Sequence, residues 1–210
     1  MKTKRLTNSI IIILLLSVLL VAQHASKFFT EEESYISISI NMLMMLTTIA
    51  YYLQLHYNFK HYLLIDNIRK QIIIIIITHI ITYVFGIIYP LYIKGNITKE
   101  MPGQDMVFAF LVMAIGGAAA IIWIIQQIIL ANKFVRNKNN IEIRRLGYSI
   151  YSLFIFFFIV PFLNTSPALK PYIHIAIISE LLPLFFVFKI YRKLLNDKND
   201  SSEVEKPDVF

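Results

Sequence analysis

A single carboxylate, Glu180, interrupts the apolar run "IAIISELLPLFF" at residues 175–186. Such a group can bind a cation or carry a proton, and its cost depends on what surrounds it. In lipid, a charged side chain at bilayer centre costs about 2.5–3.5 kcal/mol on insertion scales, so it turns toward protein or water and takes a partner. His79, in "QIIIIIITHIITYVFG", is the expected partner, because the two residues fall at similar depth when their segments are laid across a membrane. The other reading is a protonated Glu180 bonded to a backbone carbonyl or a serine. His79, Thr82, Tyr83 and Gly86 recur at helical spacing, which makes one polar stripe among isoleucines. The threonines in that stripe are read first as helix glue and only second as ligand groups. Pro183 follows Glu180 by three residues. Proline removes an N–H and crowds the carbonyl four residues back, here Ser179, so a kink is expected beside the acid.

A second pattern is "AIGGAAAII", residues 114–122. Ala114 with Ala118, and Gly116 with Ala120, form small-xxx-small pairs around Gly117, which let helix backbones approach closely. Tight packing, within the chain or in a dimer, is the first expectation; room for a solute beside Glu180 is the second. Asn41, Gln126 and Gln127 are weaker polar candidates, the glutamines being assigned to a segment end where water satisfies them. Glu31 to Glu33 read as a solvated acidic cluster. His24, His56 and His61 sit near segment ends on different elements and make no metal site. "NIT" at Asn96 and "NTS" at Asn164 match a glycosylation tripeptide that is common by chance.

Several chemistries leave no trace. The chain has no cysteine, so it lacks a disulfide framework, a thiolate metal site and a cysteine nucleophile. It has no His-Glu-x-x-His, Gly-x-Ser-x-Gly, Walker loop or glycine-rich nucleotide fingerprint. The expectation is a protein without enzymatic activity, metal or cofactor.

The elements that position these residues follow from composition. The 210 residues are 57% hydrophobic and 16% charged, with mean hydropathy +0.64. A soluble domain is typically about 45–50% apolar and about 25% charged, so a bilayer is the expected solvent. Six stretches approach the roughly 20 apolar residues that a spanning helix needs: 8–23, 35–55, 71–93, 106–131, 146–163 and 172–191. The gaps are short, so successive helices should be antiparallel neighbours in one bundle covering 1–194, with 195–210 a polar, disordered tail. The first stretch is read as a retained helix and not a cleaved signal peptide, because "VAQHAS" places Leu20 or Gln23 at the outer cleavage position.

Sixteen of the twenty lysines and arginines fall at the N-terminus, in alternate connections and in the tail. By the positive-inside bias, that puts both termini in the cytoplasm. The net charge of +7 is then a topology marker and not a nucleic-acid footprint. Tyr51, Tyr52, Tyr57, Tyr148 and Tyr191 are read as interfacial anchors. The reading is an all-α, multi-pass protein of the cell membrane, with the lipid bilayer and a partner subunit or second copy as partners. It implies movement of an ion or small solute, with Glu180 as the protonatable group. The rival is a non-transporting module: a sensor, an immunity factor or an assembly partner.

Overall fold

The computed structural model describes residues 2–29, 35–65, 67–89, 103–163 and 176–203, with side chains over 3–25, 38–65, 67–85, 107–155 and 177–197. These residues form six helices and no strand: α1 (Lys2–Phe29), α2 (Tyr35–Tyr62), α3 (Arg69–Tyr89), α4 (Gly103–Val135), α5 (Ile141–Leu163) and α6 (Ala176–Glu203). The described part of each expected stretch lies on one of them, with 90–93 of the third and 172–175 of the sixth outside the described residues. Three helices contain segments long and apolar enough to cross a membrane: Thr3–Ala25, Ile38–Tyr62 and Val107–Val135.

The helices are longer than their apolar centres. α1 runs past Gln23 through "HASKFF", which holds neither glycine nor proline to stop it. α6 runs through Leu195 to Glu203, where composition pointed to disorder from residue 195. Leu194 and Leu195 pack against the core and carry the helix beyond Arg192 and Lys193. α6 is also continuous through Pro183. Between α4 and α5, Asn140 Oδ1 accepts from the backbone N–H of Glu142 at 2.9 Å and of Ile143 at 3.3 Å. This N-cap starts α5.

Each helix packs on its neighbours in sequence, and α6 closes on α1, so the six form a ring. Side-chain bonds show that neighbours run in opposite directions. Gln23, late in α1, donates to Asn41 early in α2 at 2.8 Å. Ser9, early in α1, accepts from Asn58 late in α2 at 2.9 Å. Lys133, late in α4, donates to Gln71 early in α3 at 2.8 Å, and also to the Asn67 carbonyl. Lys189, late in α6, pairs with Glu142 early in α5 at 3.0 Å.

Burial is uneven along the ring axis. At the end that holds the N-termini of α1, α3 and α5, Leu6, Phe59, Ile68, Ile75, Phe134 and Val187 are sealed. Phe59 and Phe134 meet across the bundle with ring centroids 5.2 Å apart. α5 comes closest to α4 at Gly147, where a Cβ would meet the Val135 N at 2.7 Å and the Ala131 carbonyl oxygen at 2.8 Å. The outside of the ring is apolar as well. Only 11% of the apolar window of α4 is buried, and Val107, Phe110, Ile121 and Ile125 stand exposed on it. An apolar exterior over this length suits lipid and not water.

Candidate functional site

The ring encloses a cavity of about 430 Å³ to which all six helices contribute wall residues. α2 supplies Tyr51 and Tyr52, α4 supplies Trp123 and Phe134, and α5 supplies Phe154. Around them lie Leu16, Leu20, Met44, Ile124, Ile150 and Leu184, so the wall is mainly aromatic and aliphatic. The floor is the sealed end described above.

Toward the other end the wall becomes polar. Gln23, His79, Thr82, Tyr83 and Glu180 line the cavity there, and no other wall residue is acidic. Glu180 and Pro183 both line the cavity, Glu180 at its polar end and not at the mid-depth expected from the sequence. His79, Thr82 and Tyr83 share the wall of the same cavity, as their helical spacing requires.

The partner of Glu180 is not His79. Glu180 Oε2 lies 3.4 Å from His24 Nε2, with the side chains 36% and 17% exposed respectively. The sequence reading ended the first span at Gln23 and left His24 near an interface. The helix continues to Phe29, which holds His24 on α1 within reach of the first described turn of α6. Beside the pair, the Gln23–Asn41 bond makes Asn41 a working member of this polar end. Tyr83 lies within electrostatic reach of Glu180.

His79 keeps different company. Its ring lies 4.8 Å from that of Tyr83, and its Nε2 is out of solvent with no hydrogen-bond partner. The Trp123 Nε1 is in the same condition. A buried donor or acceptor without a partner costs about 1–3 kcal/mol, and both of these atoms belong to residues of the cavity wall. Thr82 instead donates to the Thr78 carbonyl of its own helix at 2.8 Å, so its described bond glues nothing across helices.

Three further expectations change. Tyr51 and Tyr52 are cavity wall and not interfacial anchors, being 8% and 9% exposed, because α2 continues ten residues past Tyr52 to Tyr62. Gln127 is not satisfied by water: it is buried and donates to the Tyr52 hydroxyl. The small-residue patch of α4 divides by direction. Gly116 meets α3, where an added Cβ would lie 3.3 Å from Phe85 Cβ; Ala120 lines the cavity; Ala114, Gly117 and Ala118 face outward, with nothing within 4 Å of a Cβ at Gly117. Gly86 lies in α3, whose side chains beyond Phe85 are outside the described set, as are Glu31 to Glu33, Asn96 and Asn164.

No protein-family model, curated protein or solved structure matches the chain. Function therefore has to be argued from the site alone.

Proposed function

We propose that this chain is a six-span protein of the cell membrane, with both termini cytoplasmic, that moves or helps to move a small solute through the cavity at the centre of its ring. Glu180 is the protonatable group and His24 its resting partner. One observation carries the reading: all six helices wall one cavity, and the only carboxylate among its described wall residues sits at one end, paired to a helix distant in sequence. The basic residues gather at the opposite, sealed end, which the positive-inside bias assigns to the cytoplasm. The described wall is then sealed at the end assigned to the cytoplasm, with the acid at the other.

A second reading, an assembly partner for another membrane protein, is favoured by the outward face of α4, where Gly117 leaves open space. Reconstitution separates the two. In liposomes carrying an internal pH dye, wild-type protein should show solute-driven proton movement that Glu180→Gln abolishes, while Gly117→Leu leaves flux unchanged. Flux that survives Glu180→Gln unaltered removes the acid from the mechanism. Loss of a co-purifying protein in Gly117→Leu, with no flux in either form, gives the assembly reading precedence.

A further inference from the structure

We infer that the solute held in the cavity is a small lipophilic amine, its ammonium on Glu180 and its apolar body against the aromatic wall. The inference rests on the reading of the cavity as a solute site and adds the chemistry of the solute.

Charge comes first. The wall residues include one carboxylate and neither lysine nor arginine. Low-dielectric walls around a single negative group concentrate its field, which favours a cation and rejects an anion. Among the described wall residues, an anionic solute would find the acid and no lysine or arginine to answer it.

Availability comes second. The His24 contact, at 3.4 Å, is long for a hydrogen bond, and Glu180 remains 36% exposed, so the carboxylate is held loosely. An ammonium donating to the same oxygen makes a charge-assisted bond of about 2.7–2.9 Å and displaces the imidazole.

The body of the ligand is set by the remaining wall. Tyr51, Tyr52, Trp123 and Phe154 offer rings that bury hydrocarbon and attract a nearby cation. A sugar or other polyol would leave hydroxyls unpaired against these rings and the surrounding leucines and isoleucines. A bare metal ion needs several oxygens to replace its hydration shell, typically six or more for calcium, and a wall with a single carboxylate and mainly apolar side chains does not supply them. The volume, about 430 Å³, lies within the range of small-ligand pockets, about 300–1,000 Å³.

The chain carries its own reporter, since Trp123 is its single tryptophan and lines the cavity. The full-length protein in lipid nanodiscs is titrated at neutral pH with cyclohexylmethylamine, cyclohexylmethanol and cyclohexanecarboxylate, which differ in head group. The amine should change Trp123 fluorescence saturably. The alcohol should bind at least about tenfold more weakly, and the carboxylate should give no saturable change. Glu180→Gln should bring amine and alcohol within about twofold of each other, Glu180→Asp should keep the amine preference, and Ala120→Phe, which fills the cavity, should abolish saturation. Equal affinity for all three heads, or an amine preference that survives Glu180→Gln, overturns the inference and leaves the cavity as a solute site. Absence of saturation with every probe overturns both.

Discussion

The close approach of α5 to α4 at Gly147 allows a quantitative test of the packing. At Gly147 an alanine Cβ would lie 2.7 Å from Val135 N and Cγ2 and 2.8 Å from the Ala131 carbonyl oxygen. Ordinary contact begins near about 3.5 Å, so the intrusion is about 0.8 Å, and two of the three atoms belong to the α4 backbone. A rotamer change cannot relieve it; α5 has to move away from α4 and unpack Phe134, Ile143 and Leu146, which are at most 1% exposed. Overpacking of this kind costs about 1–3 kcal/mol, against a gain of up to about 1 kcal/mol from replacing glycine by alanine in a helix. Gly147→Ala should therefore lose about 1–2 kcal/mol, a fall of about 2–8 °C in apparent Tm at this chain length. Gly116→Ala, with 3.3 Å to Phe85 Cβ, should be near neutral, and Gly117→Ala, with nothing within 4 Å, should be neutral or stabilising. Thermal unfolding of the three variants in one detergent, followed by Trp123 fluorescence, ranks them. A Gly147→Ala protein as stable as Gly117→Ala refutes the close α4–α5 approach.

Substitutions at three further positions probe the interior and the α2–α3 turn. Tyr52→Phe and Gln127→Leu each break a buried bond between α2 and α4, and each should lower stability by about 0.6 kcal/mol or more; the double variant should lose less than the sum, and strict additivity in a double-mutant cycle would deny the bond. Leu64 is 85% exposed with φ 54°, a left-handed conformation that costs a non-glycine residue about 1–2 kcal/mol. Leu64→Gly should thus raise the unfolding temperature and Leu64→Val, with a branched Cβ, should lower it, whereas the reverse order would mean the turn is not left-handed at this position.

What could be read from the sequence, and what could not, divides along a physical line. The apolar centre of every helix was visible because hydropathy measures what lipid or core requires. The ends were not, because "HASKFF" after Gln23 and "HYNFKHY" after Leu55 are polar yet still helical. Depth counted from the apolar edges therefore placed His24, Tyr51 and Tyr52 at a surface when they belong to the cavity wall or its rim. Rotation about each axis was the second blind spot. A run such as "IIIIII" at residues 72–77 has no angular contrast, so only His79, Thr82 and Tyr83 told which face of α3 turns inward. Gly116 and Gly117, adjacent in sequence, point about 100° apart, which is why one packs on Phe85 and the other on nothing. Glu180 was found because an isolated acid in an apolar run is conspicuous; its partner was hidden because the pairing joins residues 156 positions apart.

That long separation bears on how the molecule is made. The ring is closed by its first and last helices, so a nascent chain that has released only five of them has a gap where the wall should be, and no enclosed chamber. In the proposed membrane arrangement, the acid enters the bilayer after the other five helices and finds shelter only when α6 slots in beside α1. Assembly of the chamber and quenching of its most troublesome charge are then a single late event, and any chain cut short before α6 lacks both.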